Sequence, residues 1–559
     1  MDTHVSSSTL LTPWYRLRRF LTEQEWEFAA HERPVMPGSP GSPDHPLRRQ
    51  IAYALIAVLV GLTGGLGNSL ISANTYQLQG ALGLDPVEIA WLPTIYVATN
   101  ASINLLLVKF RQEFGLRPFA LIFLGLYAAI TFAHLFVLDF STALIVRAAS
   151  GMAGAPLSSL CLYYMMQAFP AKWRLKAVVV GIGVPQCATP LARMFSPDLL
   201  AMSQWRTLYL FELGLALLSV AAVALLRLPP TVRQKAFEPL DFVTFTLYGS
   251  AVALFAAVLG LGRYVWWTNA TWIAWALIAA IPMLAAALLI EHHRANPLLN
   301  TRWLGSADIL RFAVVTIMAR IVLSEQTFAA VGLLTVLGQN NDQLGTFFLL
   351  LFLASAAGVA ASAITLNVEK LAHPVMLAIG LVAVAAWADS YSTSLTRAPQ
   401  MYLTQMVIAF AGTFFLGPSL LFGMTRALQQ GSGHIISFVA LFGILNSVGG
   451  LAGTAMLGSY QTIREKANSA AITQAVDPTD PIVTQRLQAG SAGLARVVGD
   501  PALRSAEGGA LLSQTATREA NVLAYDDVFR LVAALAAATF LYLLFLLARR
   551  RWRERRALA

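Results

Sequence analysis

The sequence predicts an all-α integral membrane fold, with about fourteen transmembrane helices arranged 6+2+6. Three observations carry that expectation. Of 559 residues, 57% are hydrophobic and only 12% are charged, with a mean hydropathy of +0.62. A water-soluble domain carries about 25% charged residues and could not cover itself with so few. The apolar residues fall in runs of about 20, the length a helix needs to cross the hydrocarbon core. Basic residues collect in alternate short loops, the pattern of retention on the cytoplasmic side during insertion.

Taken in order, residues 1–50 read as a cytoplasmic N-terminal tail, polar and punctuated by Pro34, Pro37, Pro40, Pro43 and Pro46. Thr22 and Glu25 make a capping-box pattern for a short helix carrying Trp26 and Phe28, with Trp14, Arg16 and Arg18 upstream. An interfacial anchor and an unstructured tail both fit that stretch. The first apolar run is full-length rather than a short signal core, so no cleavable signal is expected. Six spans at 51–75, 87–108, 118–138, 142–168, 177–200 and 206–228 give an N-terminal bundle over 51–228. Two more, at 242–262 and 271–290, sit in a linker over 229–300. The C-terminal bundle, 301–548, holds spans at 308–337, 344–367, 374–394, 400–427, 434–458 and 527–548. A long polar segment over 459–526 interrupts it, with apolar positions such as Ile482, Leu487 and Val497 that point to helical pieces. Residues 549–559 form a second cytoplasmic tail.

Orientation follows from the short loops. Lys109, Arg111 and Arg117, then Lys172, Arg174 and Lys176, then Arg227, Arg233 and Lys235, then Arg294 and Arg302, and finally Arg549 to Arg551 with Arg553 all fall on one side. Both termini are therefore expected in the cytoplasm, with 459–526 outside. The same distribution explains the net charge of +10 without a nucleic-acid partner. Trp91, Tyr96, Trp266, Trp267, Trp272 and Trp387 near span ends read as an interface belt, and His134 as an interfacial histidine. Cys161 and Cys187 lie inside apolar runs and match no metal or disulfide spacing.

Enzyme and pump signatures are missing. No lysine follows a glycine, so there is no phosphate-cradling Gly-Lys loop, and neither Gly-x-Ser-x-Gly nor His-Glu-x-x-His occurs. No catalytic residue, metal or cofactor is expected. Attention shifts to ionisable groups within spans, each costing roughly 2.5–3.5 kcal/mol at a helix centre. They are Arg147, Arg193, Glu212, Arg320, Glu325 and Asp389. Arg147 and Glu325 have a structural alternative, as partners that lock helices together, and Asp389, near the outer end of span eleven, reads alternatively as solvated. Arg320 and Glu325 stand five residues apart and so point about 140° from each other, which is not the geometry of an intrahelical pair.

Several segments, in order, resemble the major facilitator superfamily, and within it the fourteen-span drug:proton antiporter branch (EmrB/QacA type). Arg147-Ala-Ala-Ser-Gly151-Met-Ala-Gly154-Ala-Pro156-Leu157 resembles the span-four motif, and Phe169-Pro-Ala-Lys172-Trp-Arg174 the loop after it. Trp205-Arg206, Glu291-His-His-Arg294-Ala-Asn-Pro297, Val448-Gly449-Gly450-Leu-Ala-Gly453 and Asn521-Val-Leu-Ala-Tyr525-Asp-Asp-Val-Phe529 continue the likeness over 51–548. The chain departs from the pattern where Gly67-Asn68 replaces a span-one acid and Gln112-Glu113 replaces Asp-Arg in the loop that keeps Gly115 and Arg117 as gating residues. Thr189-Pro190-Leu-Ala-Arg193 likewise replaces the span-five antiporter motif.

The resemblance implies a bacterial inner-membrane secondary transporter that exports small amphipathic compounds, drugs or organic anions, by alternating access and with protons. It implies that Arg147 faces a central cavity; the residue inventory, with no span-one acid, leaves Glu325 or Glu212 as the expected proton carrier. The resemblance also implies a periplasmic adaptor and an outer-membrane channel as partners of 459–526. Gly449, Gly450 and Gly453, being small, let helix backbones approach closely. An uncoupled metabolite exporter or uniporter, and a non-transporting membrane sensor or assembly protein on the same fold, are the competing readings.

Overall fold

A computed structural model describes residues 32–34, 38–202, 205–431, 433–477 and 479–558. The Thr22–Glu25 capping-box pattern and its aromatic neighbours lie outside the described residues. No strand occurs among the described residues. The N-terminal six helices are α1 (Leu47–Ala73), α2 (Pro86–Phe114), α3 (Leu116–Ala133), α4 (Phe140–Ala168), α5 and α6 (Arg206–Leu225). Helix α5 has three parts, Arg174–Gly183, a 3₁₀ turn Val184–Cys187 and Ala188–Met202. Pro185 causes the break, because it has no N–H to donate and its ring crowds the carbonyl one turn back. Helices α7 (Pro239–Val265) and α8 (Thr271–His293) follow. The C-terminal six are α9, α10 (Gly345–Ile364), α11 (Ala372–Asp389), α12 (Ala398–Gln430), α13 (Gly433–Ala475) and α14 (Pro501–Leu558). Helix α9 runs Ala307–Glu325, then a π turn Gln326–Ala330, then Val331–Val336.

Thirteen helices among the described residues are long and apolar enough to cross a membrane. Helix α9 falls short because Asp308, Arg311, Arg320 and Glu325 lie in its first part, yet it packs inside the same bundle against α13 and α14. The outward faces are apolar: Leu55, Leu126, Ile145, Leu217, Trp275 and Leu403 are all exposed. Lipid is the solvent such a surface needs, and the chain is a multi-pass integral membrane protein.

Two six-helix bundles meet along two seams. Helix α5 lies against α10 and α12, and α2 lies against α13. Both seams depend on missing side chains. Gly183 faces Val359 on α10, and Gly417 on α12 faces Val179 on α5; a Cβ at either would collide. Helix α7 packs along both α2 and α13, so it bridges the second seam, while α8 packs on α7. Trp267, at the end of α7, donates through Nε1 to Ser459 Oγ on α13 at 2.7 Å.

Helix α1 begins and α14 ends on one face of the molecule, the terminus face. There a charged hub fixes α7 and α8 to α2. Lys109 Nζ reaches Asp241 Oδ2 at 2.6 Å. Arg294 reaches Asp241 and Glu291 at 2.8 Å each and Glu238 at 2.7 Å. Glu291 also accepts from Thr244 Oγ1 and from the backbone N–H groups of Leu298 and Leu299, which turns the chain toward α9. The Glu291–Arg294–Pro297 motif is thus a corner whose buried charges are all engaged. Glu113 also holds a connection in place. It accepts from the N–H groups of Ala236 and Phe237 and so fixes the chain between α6 and α7.

Two segments differ in detail from the expectation. Helix α1 starts at Leu47, and residues 38–46 before it pack back on the terminus face instead of trailing as a tail. Gly41 N–H donates to Pro230 O, Gln167 Nε2 donates to Gly41 O, and Arg174 donates to Ser42 O. On the opposite face, 459–526 is mostly helix. Helix α13 continues to Ala475, a short helix spans Pro481–Gly493, and α14 starts at Pro501. At 1.5 Å per residue α14 is about 87 Å long, more than twice the hydrocarbon thickness. Gly508 lets the short helix lie directly on α14, since a Cβ there would meet Leu487 O and Ser491. This projecting hairpin marks the hairpin face.

Candidate functional site

Between the bundles lies a cavity of about 430 Å³. Its wall carries amides from both halves: Asn68 on α1, Asn100 on α2, Gln186 in the α5 break, Gln326 in the α9 π turn and Asn446 on α13. Arg320 is the one charged side chain among the described residues lining it. Its stem rests on Gly449, where a Cβ would stand 3.0 Å from Arg320 Cβ, and its Nε donates to Asn446 O at 3.2 Å. Gly450 lines the cavity beside the Arg320 guanidinium, and Gly453 admits Ser324 and the α9 backbone. The glycines that sequence reading assigned to helix approach therefore also seat the cavity's cation.

Behind the N-terminal wall is a buried polar network. Arg147, fully buried on α4, donates to Gly67 O and to Asn68 Oδ1, both at 2.9 Å. Its guanidinium lies over the Tyr96 ring, 4.6 Å from the centroid. Gly151 and Gly154 on the same helix allow this, since a Cβ at either would strike α2 at Tyr96. Pro156 is buried one turn further on. Glu212 on α6 is also buried and accepts from Tyr127 Oη at 2.6 Å. Gly67 leaves room for that pair: a Cβ at 67 would collide with the Tyr127 hydroxyl and stand 3.0 Å from Glu212 Oε1. The carboxylate of α6 thus sits against the α1 position where the resemblance expects an acid. Arg147 and Glu212 do not line the cavity; Asn68 and Tyr96 stand between.

The C-terminal bundle has a different cluster. Gln405 on α12 donates through one nitrogen to Glu325 Oε1 at 2.9 Å and to Asp389 Oδ2 at 2.8 Å. Thr404 Oγ1 donates to Asp389 Oδ1 at 2.6 Å, and Gln326 Nε2 donates to Gln405 O at 2.9 Å. Glu325 Oε2 has no hydrogen-bond partner among the described residues. Glu325 immediately precedes the π turn, a local widening of a helix that recurs at functional sites. Its neighbours Ser324 and Gln326 line the cavity.

Toward the hairpin face the halves are pinned. Arg193 Nη1 on α5 donates to Asn341 Oδ1 at 3.4 Å, and Asn341 Nδ2 donates to Ala73 O at 3.1 Å. Pro190, one turn before Arg193, lines the cavity. Gly115, at φ +89°, makes the left-handed turn from α2 to α3, and Arg117 opens α3. His134 is buried, stacked on Tyr209 at 4.4 Å.

The structure thus brings Arg147 and Glu212 into one network and Glu325 and Asp389 into another, and leaves Arg320 in the cavity and Arg193 in the latch. Sequence reading missed Tyr127, Gln405, Thr404, Asn341 and Asn446. Gln405 and Asn446, polar amides within apolar runs, were visible signals, passed over because neither side chain ionises. Among the described residues no group of three His, Cys, Asp or Glu could hold a metal.

No family model matches the chain. It is 26% identical over 319 residues to the major facilitator superfamily multidrug transporter mfsC of Aspergillus fumigatus, covering 56% of this chain. The match spans 60% of that relative's length. The human organic anion transporter MFSD10 (TETRAN) has a similar fold, with a TM-score of 0.53 and 16% identity over 88% of this chain and 100% of that one. An auto-inhibited POT family peptide transporter gives a TM-score of 0.53 and 13% identity, over 90% and 97% of the two chains. All three are transporters; none is an enzyme.

Proposed function

We propose, from homology to major facilitator transporters, that this chain is a secondary exporter of small amphipathic compounds, anionic or zwitterionic, working by alternating access. The observation that supports this most is the cavity between the bundles, walled by amides of both halves around Arg320, the one cation that lines it among the described residues. A negative group on the substrate would meet that guanidinium, while Tyr96 and Ile408 give the rest of the molecule apolar surface. The terminus face is cytoplasmic on the positive-inside argument, and the membrane is the plasma (inner) membrane of a bacterium. The Arg193–Asn341–Ala73 latch then closes the outer side and must part when the cavity opens outward.

Export is driven by protons. Anionic carboxylates at membrane depth cost several kcal/mol without a counter-charge, and a bound proton removes that cost. Glu212, Glu325 and Asp389 are therefore the proton carriers. Glu325 adjoins the wall through Gln326, its neighbour in sequence, and Glu212 stands against Gly67, next to the wall residue Asn68. In everted vesicles, Glu212→Gln and Glu325→Gln should each reduce substrate-driven proton movement, and the double substitution should abolish it. Unchanged movement in all three variants would overturn the assignment of the proton to Glu212 and Glu325. That no carboxylate among the described residues lines the cavity favours, as the second reading, an uncoupled exporter. Collapse of efflux by the unsubstituted protein on adding a protonophore decides for proton coupling; efflux that persists favours the uncoupled exporter.

The projecting α13–α14 hairpin is the surface for a periplasmic adaptor and, through it, an outer-membrane channel. Ile463, Ile482, Val497 and Leu503 are exposed on it, beyond the reach of lipid. Shortening 476–500 should stop export across the envelope while leaving membrane insertion and vesicle transport intact; unaltered whole-cell resistance would count against the docking role.

A further inference from the structure

A second cavity, about 460 Å³, lies inside the C-terminal bundle at the terminus face, remote from the transport seam. It is bounded by the terminus-face ends of α9, α11, α12 and α14. Its rim is cationic: Arg311, Arg426, Arg549 and Arg550 surround one carboxylate, Asp308. Asp308 is shared, at 2.7 Å from Arg426 and 3.3 Å from Arg311, so one acid answers two guanidiniums. Arg426 is also held over the Phe422 ring, 4.3 Å from the centroid. The first residue of α11, Ala372, lines the pocket, and no side chain caps that helix start. A helix start adds partial positive charge.

Below the rim the chemistry changes. Phe312, Val315, Val375, Leu543 and Leu547 form an apolar floor. From Asp308 to Thr316 the pocket follows α9 for about 12 Å. At that depth sits Thr316, 1% exposed, lining the pocket with a hydroxyl that has no partner among the described residues. Outside, Leu310, Val314, Leu544 and Phe545 are exposed apolar residues of the same helix ends, which places the rim at the edge of the lipid-facing belt.

We propose that this pocket binds an anionic phospholipid, with its phosphate on the arginine rim, its ester region near Thr316 and an acyl chain along the floor. Charge complementarity selects the occupant. Three guanidiniums, those of Arg311, Arg426 and Arg549, against the one carboxylate that lines the pocket among the described residues call for a negative head group, and the buried floor calls for a hydrocarbon attached to it. Basic pockets between helices at a membrane–water boundary are recognised sites for such head groups. A free inorganic anion would use the rim and leave the floor empty. The inference needs only membrane insertion and is independent of the transport reading.

The test uses full-length protein in neutral detergent and native mass spectrometry with phosphatidylglycerol or phosphatidylcholine of identical chains. Phosphatidylglycerol should be retained at one tight site and phosphatidylcholine should not. Arg311→Gln with Arg426→Gln should weaken that retention at least about tenfold, since each charge-assisted hydrogen bond is worth roughly 1.5–3 kcal/mol and 1.4 kcal/mol is a factor of ten. Val375→Phe, which fills the floor and leaves every charge in place, should weaken it too, and guards against an arginine variant that merely folds badly. Equal retention of the two lipids would overturn the proposal, as would indifference to both variants. Displacement by inorganic phosphate at constant ionic strength, with Val375→Phe silent, would overturn the lipid assignment in favour of a simple anion site.

Discussion

The two bundles bury their polar groups in opposite ways. In the N-terminal bundle an arginine, Arg147, is held by a backbone carbonyl, an amide and a ring face, and the acid Glu212 has a phenol for a partner. In the C-terminal bundle two acids, Glu325 and Asp389, share one amide nitrogen, and no cation among the described residues is hydrogen-bonded to either. Like charges this close resist joint ionisation. In both clusters one carboxylate oxygen, Glu212 Oε2 or Glu325 Oε2, has no hydrogen-bond partner among the described residues, but the second sets two acids on one donor. In the proposed exporter, that difference puts more of the proton coupling on the C-terminal pair and leaves Arg147 to hold the wall beside Glu212.

The contrast breaks most visibly at Arg147. Arg147→Ala should cost about 1–3 kcal/mol for each buried acceptor it leaves unsatisfied, namely the Gly67 carbonyl and Asn68 Oδ1. The thermal midpoint in detergent should fall by many degrees, and an unchanged midpoint would mean that the network is not structural. Across the seam the sign reverses. Glu325→Gln removes repulsion from Asp389 and keeps an acceptor for Gln405, so the midpoint should rise in mildly alkaline buffer even as coupling is lost. A fall equal to that of Arg147→Ala would erase the distinction between the bundles.

Next in size is the room provided by glycine. Gly67→Ala should cost about 1–3 kcal/mol as an overpacked core position, by driving the Tyr127 hydroxyl off Glu212. Gly449→Ala puts a Cβ 3.0 Å from Arg320 Cβ, a contact that a few tenths of an ångström of movement between α9 and α13 relieves. It should leave the midpoint nearly unchanged and weaken substrate binding instead. Comparable loss of stability in both would show that the seat of Arg320 is structural rather than part of the substrate site.

How much of this could be read in the sequence follows from the range of each interaction. Span count and order were legible because lipid-length helices and basic turns are local patterns, and even α9, with four charges, showed its apolar face. The cavity's contact map was not. Tyr127 meets Glu212 across 85 positions and Gln405 meets Glu325 across 80, and such distances follow from how helices pack. Gly67 shows the limit best. Its lack of a side chain read as an acid gone missing, but the structure uses the vacant space for the carboxyl of another helix. The hub motif Glu291–Arg294 was legible as a motif but not as a corner, because its partners Lys109 and Asp241 come from α2 and α7.

The smallest expected effect lies in that hub, outside the spans, and extends the same contrast to pH. Glu238 is held below the ordinary glutamate value, first by the hydrogen bond from Arg294 and then by Asn296. A carboxyl whose folded value is depressed contributes stability above its unfolded value, about 4.3, and loses it as pH falls through the lower folded value. Its side chain is 43% exposed, so solvent screens the pair and the contribution is slight. Glu238→Gln should therefore lower the thermal midpoint only marginally near neutrality, and flatten its decline below the ordinary glutamate range. Arg294 shows the other side of the pair: burial opposes its charge, but Glu238, Glu291 and Asp241 together raise its value above that of a free arginine, so it stays cationic throughout. An acid limb of unaltered steepness in Glu238→Gln would make the exposed ion pair with Arg294 energetically silent.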